Sequence, residues 1–62
     1  MKFNEEVLIE QIKVIRRTNK INMLDTENVH RIAKENGMSE LMCFVERYRE
    51  NYINYIMRGR FE

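Results

Sequence analysis

Few side chains in this chain of 62 residues could take part in chemistry, and their spacing points away from catalysis. His30 is the one histidine and Cys43 the one cysteine. A structural zinc site takes four such ligands and a catalytic one three, so this pair builds neither. Asp25 could be drawn as a partner for His30, but it stands directly before a helical pattern and is accounted for as an N-cap. A nucleophilic thiol would need a base beside Cys43 and a lowered pKa, and the sequence supplies neither. Lying next to an apolar stripe, Cys43 reads as a small buried hydrophobe. There is no glycine-rich phosphate loop, because Gly37 and Gly59 are the only glycines, and no carboxylate pair is placed for acid–base work. The expectation is a protein that is not an enzyme and uses no metal or cofactor.

Two constellations could bind rather than react. Tyr48, Tyr52 and Tyr55, with Arg47, Arg49, Arg58 and Arg60 nearby, have the composition of a platform for single-stranded nucleic acid. Tyrosines four and three apart more often pack in a core or interface with their hydroxyls at the rim, and Tyr and Arg are enriched in protein–protein hot spots. Arg58 and Arg60 also suit the negative end of a helix dipole without any ligand. The second constellation is a helix-turn-helix, suggested by Ile32-Ala33 followed by Gly37-Met38. Two further positions that this motif keeps apolar are Asn36 and Glu46 here. The helix that would enter the major groove opens Ser39-Glu40-Leu41-Met42-Cys43-Phe44-Val45-Glu46, with no Arg, Lys, Asn or Gln to read base edges. A capped turn between packed helices is the better reading, and nucleic acid is not the expected partner.

Charge agrees. Eleven Lys and Arg stand against ten Asp and Glu, a net of +1 with the signs interleaved, whereas a nucleic-acid footprint shows a basic excess on one face. No apolar run approaches the ~20 residues that span a bilayer. Met1-Lys2-Phe3-Asn4-Glu5-Glu6 places acidic residues where a signal peptide carries its apolar segment, and a lone thiol fits a reducing compartment. The expectation is a soluble cytoplasmic protein with no membrane contact.

The elements that must position these residues are all helical. Proline is absent, and no strand alternation, repeat or low-complexity stretch is visible. The chain divides into three helices of one domain, residues 1–62, at about residues 5–17, 26–36 and 40–58. Each start carries a hydrophobic staple around a capping residue: Phe3-Asn4 with Leu8, Leu24-Asp25 with Val29, and Met38-Ser39 with Cys43. Gly37 and Gly59 stand at the expected helix ends. Between the first two helices runs the connector Thr18-Asn19-Lys20-Ile21-Asn22-Met23-Leu24.

The third helix is apolar over more than one face. At 100° per residue, Leu41, Phe44, Val45, Tyr48, Tyr52, Tyr55 and Ile56 form one stripe, Met42, Ile53 and Met57 widen it, and Arg47, Glu50, Asn54 and Arg58 hold the back. The first helix, with Leu8, Ile12 and Ile15 central and Val7, Val14 and Ile9 flanking, is also broad. A domain this short buries only about 60% of the surface its unfolded chain exposes. Without a disulfide or zinc staple, oligomerisation is the remaining device. The sequence therefore predicts an intertwined or side-by-side homodimer whose self-interface and core hold Leu8, Ile12, Ile15, Phe44, Tyr48, Tyr52, Ile53 and Ile56. Arg47, Arg49, Tyr55, Met57, Arg58 and Arg60 are left as candidates to meet a different protein.

The segments Ile15-Arg16-Arg17, Ile21-Asn22-Met23-Leu24-Asp25, Val29-x-Arg31-Ile32-Ala33, Gly37, Glu40-Leu41, Phe44-Val45-Glu46, Tyr52, Tyr55-Ile56-Met57 and Gly59-x-Phe61-Glu62 resemble a family of very short uncharacterised proteins. These are encoded mostly by phages and prophages of Gram-positive and gut bacteria. The resemblance spans nearly the whole chain, with Asn22-Met23-Leu24-Asp25 and Gly59-Arg60-Phe61-Glu62 its most specific parts. It implies a phage origin and a small accessory role in the bacterial host, and brings no catalytic residues. In size and style such proteins are similar to phage inhibitors of bacterial defence, including the short homodimers that block the Hachiman system. The resulting expectation is a non-enzymatic inhibitor that binds and blocks a host antiviral protein. The alternative is a small helix-turn-helix-like nucleic-acid-binding phage regulator, and a part of the virion is not separable from the inhibitor by sequence.

Overall fold

The computed structural model describes residues 3–61. Met1, Lys2 and Glu62 lie outside the described residues, and with them the first two positions of the N-terminal segment and the last of Gly59-Arg60-Phe61-Glu62. All regular structure among the described residues is helical: α1 Glu5–Thr18, α2 Thr26–Glu35, α3 Ser39–Arg47 and α4 Arg49–Arg58. The expected third helix over residues 40–58 is thus two helices, and the chain has four where three were predicted.

The local signals act as read at α1 and α2. Asn4 Oδ1 accepts from the Glu6 and Val7 amides at 3.0 and 3.3 Å, and Asp25 Oδ1 accepts from the Asn28 amide at 3.3 Å. Each bond satisfies a donor that the first helical turn cannot pair internally. Gly37 has φ +69°; the Met38 amide bonds the Ala33 carbonyl at 2.8 Å and the Gly37 amide bonds that of Lys34 at 3.3 Å. That is a Schellman closure, and it needs a left-handed residue at position 37. Gly59, at φ +81°, ends α4 in the left-handed conformation.

The start of α3 differs from expectation. Its cap is Met38, which makes no side-chain capping bond, and Ser39 is the first helical residue. The donor that a capping serine would have satisfied is instead met from α1, where Gln11 Oε1 accepts from the Leu41 amide at 3.0 Å.

The break at Tyr48 has no glycine or proline behind it, so its cause is tertiary. A straight helix from Ser39 to Gly59 would be about 30 Å long, whereas the longest dimension of the molecule is 25 Å. Tyr48 leaves the helical region at φ −127°, ψ 50°. Its amide still donates to the Phe44 carbonyl at 2.7 Å and its carbonyl still accepts from Tyr52 at 3.0 Å, so the interruption costs little hydrogen bonding. In return the Tyr48 ring stacks on Phe44 and meets Phe3 edge-on, with centroids 5.7 and 5.5 Å apart. Beyond the break, α4 turns Tyr52 into the interior, where its hydroxyl donates to the Met23 carbonyl at 2.7 Å. Phe61 then folds back against Phe44 and Tyr55, at 5.2 and 4.5 Å, and its carbonyl accepts from Asn51 Nδ2 at 2.8 Å.

One core results, holding Leu8, Ile12 and Ile15 of α1, Val29, Ile32 and Ala33 of α2, Leu41, Phe44 and Val45 of α3, and Met23, Tyr52 and Phe61. The exposed surface is 4457 Å², against about 4,300 Å² for a folded monomer of 7.7 kDa by the scaling of surface with mass. The bend lets the two halves of one broad apolar arc pack into one interior. The arc that argued for a second copy is largely covered by the chain itself.

Candidate interaction surface

The residues expected at a self-interface separate into two groups. Leu8, Ile12, Ile15, Phe44 and Tyr52 are buried inside the single chain. Tyr48 stays on the surface beside Phe3, and Ile53 and Ile56 are half-buried on the flank of α4. Of the partner-facing candidates, Arg47, Arg49, Arg58, Arg60 and Met57 are exposed. Tyr55 is half-buried and stacked on Phe61, with rings 15° from parallel, so it serves the packing of the C-terminus more than the outer surface.

Helical spacing makes a stripe of the outward residues. Arg49, Ile53 and Met57 follow one another at intervals of four along α4, with Ile56 on the inner side of the row. Met57 is 68% exposed, more than any other large hydrophobic residue described. The ion pairs found among the described residues are His30–Glu46 and Arg31–Glu35; neither involves the arginines around the stripe.

At its Arg49 end the stripe runs into a groove between α2 and the α3–α4 joint. This groove, of about 310 Å³, is lined by Thr26, Glu27, His30, Val45, Glu46 and Arg49. Val45 gives it an apolar floor, and charges of both signs stand on its rim. Of the lining residues the sequence marks only Arg49 as a partner-facing candidate; Thr26 and Glu27, in the first turn of α2, carry no such mark. Their approach to Glu46 and Arg49 follows from the pairing of α2 with α3, which joins residues far apart along the chain.

His30 Nε2 lies 3.4 Å from Glu46 Oε2, not beside Asp25, whose carboxylate instead holds both the amide and the side-chain Nδ2 of Asn28. Cys43 is half-buried, with its thiol free. Among the described residues, no three His, Cys, Asp or Glu side chains converge as a metal site would need, and no helix is long and apolar enough to cross a membrane. The α2–α3 pair, joined by Asn36-Gly37-Met38, does have helix-turn-helix connectivity. The side chains of α3 outside the core are Ser39, Glu40, Met42, Cys43, Glu46 and Arg47, two acids to one base, with the base in the last turn and none at the end that would enter a groove.

No curated protein and no solved structure matches the chain. Residues 4–60 match a domain of unknown function, DUF5049. That span takes in the four helices and the groove, and leaves Phe3 and Phe61 just outside it. The chain belongs to the DUF5049 family.

Proposed function

We propose that this protein is a non-enzymatic interaction module that binds a host protein through the outer face of α4 and blocks it by occlusion. The phage origin implied by its sequence resemblance makes a component of bacterial antiviral defence the target class, and the cytoplasm of the bacterial host the compartment. The observation that carries the reading is Met57. A large apolar side chain stands 68% exposed in line with half-buried Ile53 and beside Ile56, on a molecule whose interior is otherwise closed. Arginine with an apolar anchor is the composition from which hot spots are built. Self-association has Tyr48, Ile53 and Ile56 left to it, of which Ile53 and Ile56 belong to the α4 stripe and Tyr48 stands apart beside Phe3.

Met57→Asp tests this directly. An exposed substitution of this kind changes stability by no more than about 0.5 kcal/mol, while losing a hot spot costs about 2 kcal/mol or more of binding, roughly 30-fold in affinity. The expected result is an unchanged helical signal with loss of both co-purification of the host protein and protection of infecting phage. Equal protection by the variant and the parent would refute the reading.

The helix-turn-helix alternative is favoured by one feature, the α2–α3 connectivity. It predicts oligonucleotide binding that weakens steeply with salt as counterions are released. Filter binding at low salt checks it, and the acidic side chains on α3 lead us to expect none.

A further inference from the structure

The α4 stripe belongs to the interaction reading above, and its surroundings specify what chemistry would cover it. Between Arg47 and Arg60 the chain has four arginines and one acidic residue, Glu50. All four arginines are exposed, and the ion pairs found among the described residues use none of them. At the groove the charge is mixed, because Glu27 and Glu46 face His30 and Arg49 there. At the other end, Arg58 and Arg60 follow Met57 with only Gly59 between them, at the edge of the stripe.

The side of a helix offers a partner no row of unpaired backbone groups to extend, since its interior amides and carbonyls bond along the helix and only the end turns keep free ones. A segment laid on it must satisfy its own backbone, so it arrives as a helix and not as an added strand. From Arg49 to Met57 the stripe is about 12 Å long, a contact length that suits two to three turns of a crossing helix. On a nucleic acid the aliphatic row Ile53, Ile56 and Met57 would meet mainly phosphate and sugar, which cover it poorly. On a helix with an apolar stripe it is covered by matching side chains. A second copy of this chain is a poorer occupant. Its acidic stretch, at Glu5, Glu6 and Glu10 of α1, has Leu8, Ile12 and Ile15 committed to the core and only Val7 exposed among its large apolar residues.

We infer that the occupant of the α4 stripe is an amphipathic, acidic helix of another protein, seated with its apolar row on Ile53, Ile56 and Met57 and its carboxylates at the Arg58–Arg60 end. Complementary charge of this kind sets orientation and speeds association, and it weakens as salt screens it.

The probes are two labelled synthetic helices of about 20 residues, identical in their leucine row, one flanked by glutamate and the other by lysine. A labelled duplex oligonucleotide is the third probe. The full chain is titrated into each, and fluorescence anisotropy is read at low and moderate salt. The glutamate helix is expected to bind at least about tenfold more tightly than the lysine helix. R58E/R60E should reverse that preference, and Met57→Asp should weaken both helices. Circular dichroism confirms that each variant is folded. Equal binding of the two helices overturns the inference, as does tighter binding of the oligonucleotide or no binding of the glutamate helix up to millimolar protein. Failure of the wider reading looks different. If R58E/R60E still protects phage while Met57→Asp does not, the stripe is the site and its occupant is not acidic. If both variants protect, the stripe is not the site.

Discussion

Tyr52 shows how much one side chain can fix in a chain this small. It is fully buried, and its hydroxyl ties α4 to the connector between α1 and α2 through the Met23 carbonyl. Tyr52→Phe keeps the ring and removes the donor, which costs about 1–3 kcal/mol of the 3–5 kcal/mol or so that a core of this size supplies. A urea titration should show the midpoint falling without a change in slope. Burial also holds the Tyr52 hydroxyl protonated well above the ordinary tyrosine value of 10.0, with the positive charge of Arg16 pulling weakly the other way. The folded state thus keeps a proton that the unfolded state releases above about pH 10, and stability falls as pH rises beyond that point. Subtracting the Tyr52→Phe pH profile from that of the parent should isolate the fall, and identical alkaline profiles would contradict it. At this scale the sequence was readable wherever a residue acts on near neighbours. Asn4, Asp25, Gly37 and Gly59 all do what their positions predict. Gln11 was not readable, because the amide it satisfies, at Leu41, is brought to it only by the packing of α1 on α3.

The elements show the same division between local and distant causes. α1 and α2 start and stop within a residue of their expected limits because cap chemistry is local. The division of the last helix at Tyr48 is not local, since nothing between Val45 and Asn51 disfavours a continuous helix. It follows from what a bend makes possible: Tyr48 against Phe3 and Phe44, Tyr52 inside, and Phe61 closing over Tyr55. Phe61 was visible only as part of a family resemblance, and no periodicity marks it as core because it lies past the C-cap. It is nonetheless 4% exposed. Truncating a buried phenylalanine costs about 3–5 kcal/mol, which here approaches the whole stability of the domain. Phe61→Ala should therefore leave a largely unfolded or molten chain at room temperature, seen as loss of near-ultraviolet circular dichroism. A cooperative transition close to that of the parent would mean that the C-terminal return contributes little and that the bend has another cause.

At the scale of the whole molecule, the question is whether folding needs a second chain. The broad apolar arcs of the sequence argue that it does, because a straight final helix would leave one side of itself uncovered. The bent chain covers that side, and its 4457 Å² of surface is close to what a monomer of its mass exposes. Among the described residues, the large apolar ones still exposed are Val7, Leu24, Tyr48 and Met57, too few for the apolar excess of an obligate dimer interface. On the reading proposed above, folding and binding are then separable properties: the interior holds the chain together, and the α4 face would be left to a partner. An obligate dimer must lose helix as it is diluted, since its folded state is tied to protomer concentration. This chain should instead keep a constant helical signal from about 100 μM to below 1 μM, with light scattering reporting the monomer mass at the dilute end. Helicity that falls on dilution would show that the outer face of α4 completes the fold in a second copy. In that case Met57→Asp would unfold the protein rather than only blind it.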